Sequence, residues 1–201
     1  MWVCMFQQQE RFRTKIAHFQ HVEKMSEKLF KVASTLSIPI LATEQNPEAL
    51  GKTVDSLAKY LASQEGTTTT TVAPRIHAKT QFSMLTPEIR SALLAHGPSG
   101  TIQVALLGIE THICVLQTSL SLLREGFQVH VVADAVSSCN TQERALALQS
   151  IRDEGGNITT SESLIFRILA DAKDPRAKEV FSIVKEYSSS TKDALQALCP
   201  A

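Results

Sequence analysis

The stretch Ile102-Gln-Val-Ala-Leu-Leu-Gly-Ile-Glu-Thr-His-Ile-Cys114 decides the fold. Its first six residues form an apolar run of strand length. Gly108 then permits a tight turn, and Cys114 falls in the first turn of a segment with helical spacing. A strand that leads directly into a helix is the building unit of a parallel sheet with helical crossovers.

The rest of the chain repeats this alternation. Apolar runs predict further strands at residues 1–6, 38–43, 127–133 and 157–160. Helical spacing covers residues 21–36, 113–123 and 141–153, and a last helix is predicted to begin at Ser161. These elements predict a three-layer α-β-α fold with a mainly parallel central sheet. Ligands bind such sheets at the carboxyl ends of the strands, so candidate site residues are expected there.

Chain length and net charge limit the number of domains and the class of partner. A chain of 201 residues fits one domain, which we place at residues 1–186, with 187–201 as a C-terminal tail expected to be poorly ordered. The threonine-rich tract at 66–71 is predicted to be a mobile surface loop. Twenty basic and twenty acidic residues give no net charge, so neither nucleic acid nor an anionic membrane is an expected partner.

The spacing of the cysteines and the lengths of the apolar runs indicate the cellular compartment. The four cysteines are scattered without a CxxC spacing, which argues against a zinc site or a disulfide framework and favours a reducing compartment. No apolar run approaches the roughly 20 residues of a membrane span, and the first residues lack the basic start of a signal peptide. We therefore expect a cytoplasmic protein that does not enter a membrane.

Cys114 is the candidate nucleophile. A thiol in the first turn of a helix lies near the positive end of the helix dipole and near unpaired N–H groups, and both favour the thiolate. The same N–H groups can stabilise an oxyanion during acyl transfer. A buried, inert cysteine packed under the helix is an equally good interpretation of the position alone.

The segment from Gly108 to Cys114 resembles the nucleophile loop of the isochorismatase-like cysteine hydrolases. Within that superfamily the chain is most similar to the eukaryotic isochorismatase domain-containing proteins. Other blocks match them in the same order, and together the matches extend over roughly residues 9–186. These blocks are residues 10–13, 43–47, 79–84, 132–138, 159–162 and 174–175.

The resemblance implies a catalytic triad of cysteine, lysine and aspartate. It assigns the nucleophile to Cys114 and the lysine to Lys79, whose ammonium would lower the thiol pKa; outside this motif a solvated surface lysine would be the default interpretation. The position of the aspartate, the general base, is occupied by Gln7, which cannot accept a proton at neutral pH. Two explanations stay open: a pseudoenzyme in which Gln7 only forms hydrogen bonds, or a native start that differs from residues 1–8.

The resemblance also implies a non-proline cis peptide between Ile109 and Glu110. Such a bond costs about 3–4 kcal/mol and persists only where function or packing enforces it. It would place the N–H groups of Ile113 and Cys114 at the oxyanion position.

The pocket expected beside the nucleophile is predicted to hold no cofactor. Its predicted lining is Phe12, Glu44, Phe82 and His112, although core packing is the commoner role for phenylalanine and a structural hydrogen bond the commoner role for a lone histidine. Nicotinamidases in the superfamily bind a metal through an aspartate and histidines after the second strand. The corresponding residues 43–47 contain no Asp-x-His pair, so we predict neither a metal nor another cofactor.

Two functions are compatible with these residues. The first is a hydrolase in which the Cys114 thiolate attacks a small amide or related carbonyl substrate, with activity weakened by Gln7. The second is a non-catalytic family member that acts in ligand binding or oligomer contacts. A homo-oligomer is expected by analogy, with the helix at residues 116–123 as a possible contact surface.

Overall fold

The computed structural model describes residues 1–62 and 76–199, so the threonine-rich tract lies outside the described residues. Their strands form one six-stranded sheet in the order β3-β2-β1-β4-β5-β6, and every pair is parallel. The predicted parallel α/β fold is confirmed. The strands are β1 (Trp2–Gln7), β2 (Ile40–Gln45), β3 (Ile76–Lys79), β4 (Gln103–Ile109), β5 (Gln128–Ser137) and β6 (Asn157–Thr159).

Helices cover both faces of the sheet and make it the middle of three layers. Their bounds are α1 (Phe19–Thr35), α2 (Pro47–Leu50), α3 (Asp55–Ala62), α4 (Pro87–Leu94), α5 (Leu116–Arg124), α6 (Thr141–Asp153), α7 (Ser161–Leu169), α8 (Ala177–Glu186) and α9 (Ser188–Leu198). Apolar side chains of α1, α3, α7, α8 and α9 share one core cluster, and those of α4, α5 and α6 share the other. Within the described residues, none of the helices has both the length and the apolar character needed to cross a lipid bilayer.

Strand β1 shows how the sequence produces this arrangement. Successive side chains of a strand point to opposite faces, so Cys4 and Phe6 enter one core cluster while Val3 and Met5 enter the other. All four are buried, as a central parallel strand covered on both faces requires. This is why β1 reads as a continuous apolar run instead of an alternating one.

Most of the predicted C-terminal tail forms a helix. Residues Ser188–Leu198 form helix α9, which packs against α1 and β5, so the expectation of a poorly ordered tail is wrong for this segment. A buried ammonium accounts for part of the docking. Lys28 of α1, whose side chain is fully buried, donates to Thr191 Oγ1 of α9 at 2.9 Å and to Ser161 Oγ of α7 at 3.4 Å.

Other expectations also differ from the structure in detail. Residues Ile76–Lys79 form a strand, β3, which is absent from the strands predicted above. The predicted helix after β4 begins as a π-helical turn, Thr111–Val115, before α5. Its buried residues are Thr118, Ser119 and Leu122, whereas the leucines at 116, 120 and 123 are only partly buried. The small polar side chains are buried because their hydroxyls bond to backbone carbonyls one turn earlier.

The strand order reverses its direction between β1 and β4, which are neighbours in the centre of the sheet. Connections leave these two strands toward opposite faces, and in sheets of this kind ligands bind at the carboxyl ends of such a strand pair. Gln7 ends β1 and lies opposite Gly108 of β4 in the strand register. Gly108 has φ +126°, and a Cβ there would lie 2.9 Å from the Gln7 amide nitrogen and closer still to its carbonyl oxygen. Only glycine allows this approach.

Candidate active site

The predicted triad positions all lie at the carboxyl edge of the sheet, and two of them are in direct contact. Gln7 ends β1, Lys79 ends β3, and Cys114 follows β4 in the π-helical turn. The Gln7 side-chain amide donates to Cys114 Sγ at 3.7 Å, and Gln7 Oε1 accepts from Thr43 Oγ1 at 3.5 Å. Residues 107 positions apart thus meet because parallel strands end at the same edge of the sheet.

The Cys114 thiol lies in a largely dry environment. Its residue is only 4% exposed. Burial raises the pKa of the Cys114 thiol, and the nearby Lys79 ammonium and the hydrogen bond from Gln7 counteract that rise only in part. The position at the start of a helix therefore does not by itself give a thiolate at neutral pH.

Lys79 is held by oxygen atoms from two segments. Its ammonium donates to Gln45 Oε1 at 2.6 Å and to the backbone carbonyls of Gln81 and Phe82 at 3.0 and 3.1 Å. Burial lowers the pKa of Lys79, while the Cys114 side chain acts in the opposite direction. These acceptors hold the ammonium between the end of β2 and the residues that follow β3.

The loop between β4 and Cys114 turns without the predicted cis peptide. No cis peptide bond occurs in the described residues, so that prediction for Ile109–Glu110 is wrong. The reversal comes instead from Glu110, which adopts a left-handed conformation with φ 55°. The Ile113 N–H donates to the Glu110 carbonyl at 3.0 Å, so in this conformation it is not directed at an oxyanion as predicted.

The predicted pocket residues occupy different environments. Phe12 is partly buried against a core cluster. Phe82 is exposed, and its backbone carbonyl accepts a hydrogen bond from Lys79. Glu44 accepts a hydrogen bond from the Thr53 N–H at 2.6 Å, which commits one of its carboxylate oxygens to a loop contact. His112 Nδ1 lies 3.0 Å from Ser138 Oγ. Glu44 and Phe12 therefore have structural contacts that account for their positions.

An open groove of about 510 Å³ runs beside the lysine. Its lining includes Asn46, Lys79, Gln81 and Thr86, and Cys114 is not among the lining residues. Lys79 therefore contributes to the wall of this groove, whereas Cys114 does not.

Two residues that support this site were not singled out from the sequence. Gln45 lies opposite Lys79 in the β2–β3 register and accepts its ammonium. Thr118 donates to the Cys114 carbonyl at 2.6 Å and accepts from the Met84 N–H at 2.8 Å, which ties the loop after Lys79 to the helix that carries the thiol. A polar residue at the end of a predicted strand was the available signal for Gln45. Thr118 gave none, because its contact with the Met84 N–H joins residues that are 34 positions apart.

These features define a parallel α/β protein with a thiol and an ammonium at the carboxyl edge of its sheet. The isochorismatase domain model matches residues 2–163, most of the chain. The chain therefore belongs to the isochorismatase family, as the sequence resemblance predicted.

Relatives with similar sequences support the same assignment. Isochorismatase domain-containing protein 2A of Mus musculus is 43% identical over 178 residues, which cover 89% of this chain and 79% of that protein. Isochorismatase domain-containing protein 1 of Danio rerio is 40% identical over 88% of this chain, but this match spans only 58% of the zebrafish protein. A solved structure described as the MAR1 ribonuclease of Caenorhabditis elegans is 36% identical, with a TM-score of 0.81, and the match covers 92% of this chain and 89% of that one.

Proposed function

We propose that this chain is a cysteine-dependent hydrolase of a small amide or related carbonyl compound, with turnover impaired by Gln7. The observation that carries the proposal is the direct contact between the Gln7 amide and Cys114 Sγ, at 3.7 Å. It supports a nucleophile at Cys114 and, at the same time, the absence of a proton acceptor where the family resemblance implies a general base.

The chemistry explains why this substitution matters. Cys114 Sγ would bond to the carbonyl carbon of an amide as the C–N bond breaks, and the thiol proton would pass through solvent to the departing amine, which leaves a thioester acyl-enzyme. Water would then release the acid and restore the thiol. Gln7 can hydrogen-bond to the sulfur but cannot receive its proton. Lys79 would stabilise negative charge on the sulfur and on the developing oxyanion.

The size of the rate contribution that is lost without a general base favours a weak enzyme over a fully active one. A positioned general acid or base contributes about 10²–10⁴-fold to rate, and that contribution is missing here. The raised pKa of the Cys114 thiol reduces the thiolate fraction further. We therefore expect slow turnover unless a carboxylate is restored.

The wider setting is proposed on similar grounds. A small-molecule substrate and no nucleic acid are favoured by the zero net charge of the chain. We further propose a cytoplasmic homo-oligomer whose hydrolytic reaction uses no cofactor. The partly exposed leucines at 116, 120 and 123 of α5 would contribute to the contact between copies.

A second candidate is a non-catalytic member that binds a ligand or a partner. Its support is Gln7 itself, together with the burial of Cys114, which is only 4% exposed and does not line the groove beside Lys79. In this reading the hydrogen bonds of Gln7 only stabilise the edge of the sheet.

The substitution Gln7→Asp separates the two candidates. Aspartate is one methylene shorter and supplies the missing carboxylate, so we expect ammonia release from a panel of small amides to rise about 10²-fold or more. The matched control is Gln7→Asp combined with Cys114→Ser, which should release none. If a correctly folded Gln7→Asp protein, judged by circular dichroism, releases no more ammonia than this control, the hydrolase proposal fails and the binding function is favoured.

A further inference from the structure

A second cluster of reactive side chains lies between the nucleophile loop and the end of β5. Glu110, His112 and Cys139 each direct one potential ligand atom to a common point, and these three atoms lie within 4.8 Å of one another. His112 Nδ1 and Glu110 Oε2 are 3.5 Å apart, and Glu110 Oε2 also accepts from the Cys139 N–H at 3.3 Å.

The fold explains why three residues without a metal-binding spacing meet here. Glu110 and His112 follow β4, and Cys139 follows β5, its neighbour in the sheet. The left-handed conformation of Glu110 turns the chain sharply between β4 and His112. Ser138 Oγ contacts His112 Nδ1 at 3.0 Å, which keeps the imidazole beside the end of β5. The sequence predicts no metal because residues 43–47 contain no Asp-x-His pair and the cysteines have no CxxC spacing, and it gives no sign of this cluster because His112 and Cys139 are 27 positions apart.

We propose that Glu110, His112 and Cys139 form a binding site for zinc or a chemically similar divalent transition-metal ion. A thiolate, an imidazole nitrogen and a carboxylate oxygen are the three ligand types that zinc takes in proteins. Magnesium and calcium prefer sites made only of oxygen ligands, so they do not fit this set. Three protein ligands leave a fourth, open position of a tetrahedral site.

Zinc binding would require the three ligand atoms to move only slightly closer together. Zinc–ligand bonds of about 2.0–2.3 Å place tetrahedral ligand atoms about 3.3–3.8 Å apart. The Glu110–His112 distance of 3.5 Å already falls in that range. Cys139 is exposed, so rotation of its side chain can bring the sulfur closer without disturbing the core.

The charges also favour a divalent cation. Among the described residues, Glu110 pairs with His112, and this contact is an ion pair only when the imidazole is protonated. On binding, the Cys139 thiol would lose its proton to solvent, and Nδ1 would exchange its contact with Ser138 for the metal. The dianionic ligand set would then neutralise the ion.

Such an ion would connect the two loops that border the nucleophile. The Glu110 carbonyl accepts the N–H groups of Ile113 and Val115, which flank Cys114. Coordination would therefore restrain the turn that carries the thiol by linking it to the end of β5. The site itself does not depend on the proposed hydrolysis, because Cys114 is not one of its ligands.

Cobalt(II) titration of the full chain tests the proposal. Tetrahedral cobalt with a thiolate ligand gives a near-ultraviolet sulfur-to-cobalt band and intense visible bands. We expect these bands to saturate at one cobalt per chain, to be displaced by zinc, and to be retained by the control variants Cys114→Ser and Cys199→Ser.

The variants Cys139→Ser and Glu110→Gln should identify the ligands. Cys139→Ser changes an exposed side chain and should abolish the sulfur-to-cobalt band, and each variant should weaken zinc binding about tenfold or more by competition titration. Zinc should raise the unfolding temperature of the wild-type chain but not of Cys139→Ser. The proposal is overturned if the wild type gives no band, or if Cys139→Ser keeps the same band and affinity.

Discussion

Gly108→Ala is expected to destabilise the protein strongly through the central strand pair. Gly108 has φ +126°, and the added Cβ would lie 2.9 Å from the Gln7 amide nitrogen. Gln7 is part of the β1–β4 ladder, so its backbone cannot move away without breaking hydrogen bonds in the centre of the sheet. The substitution therefore combines two separate costs.

The magnitude follows from adding these costs. A non-glycine residue in a sparsely populated backbone region costs about 1–3 kcal/mol. Forcing an extra methyl group into a packed interior costs about another 1–3 kcal/mol. We therefore expect Gly108→Ala to lower the free energy of unfolding by about 2–6 kcal/mol, a large part of the roughly 5–15 kcal/mol that is typical of a folded protein.

Urea denaturation of two other glycine variants separates the costs. Gly155 has φ +94° with no atom within 4 Å of an added Cβ, so Gly155→Ala should show the backbone strain alone, about 1–3 kcal/mol. Gly100 has neither a close neighbour nor a positive φ, so Gly100→Ala should change stability by less than about 0.5 kcal/mol. If Gly108→Ala costs no more than Gly155→Ala, the close approach of β1 and β4 is not what requires glycine.

Two further predictions concern buried polar groups. Burial lowers the pKa of His130 from 6.5 to about 4, so as the pH falls the unfolded chain binds a proton before the folded chain does. The free energy of unfolding should therefore decrease from pH 6.5 to 4, with up to about 3 kcal/mol of the decrease due to His130. The variant His130→Phe keeps a ring beside Trp2 and should make the free energy of unfolding, measured by urea titration, depend less on pH. An unchanged pH dependence would refute the role given to His130. Lys28→Ala should cost about 3 kcal/mol and expose α9 to limited proteolysis because the buried hydrogen bond to Thr191 is lost. Lys24→Ala on the same helix removes an exposed ammonium and should change neither quantity measurably, and equal effects of the two would contradict the proposed docking role of Lys28.

The fold was predictable because its signals are local. Apolar runs of strand length and segments of helical spacing alternate along the chain, and that alternation leads to a parallel sheet covered on both faces. Helix α6 was predicted at residues 141–153, as observed, because it ends at a glycine pair. Strand β3 was missed because it has only four residues at the sheet edge.

The C-terminal helix shows where local signals were insufficient. Residues Ser188–Leu198 begin with a run of serines, and their composition suggested a disordered tail. The segment is helical because Thr191, Ala194 and Leu198 are buried in the fold, with Thr191 bonded to the Lys28 ammonium. Tertiary contacts of this kind outweigh intrinsic helix propensity.

Some features of the candidate site could likewise be predicted from the sequence, and others could not. The sequence by itself determined the family, the candidate nucleophile Cys114, the candidate lysine Lys79 and the absence of a carboxylate at Gln7, because each is a residue identity within a motif. Only the tertiary structure decided that burial raises the pKa of the thiol, and that Glu110 turns the loop without a cis peptide. Only the structure, too, brought Cys139 to His112 and Glu110. These properties depend on which strands are neighbours and on how much water is excluded between them, and neither is written in the local order of residues.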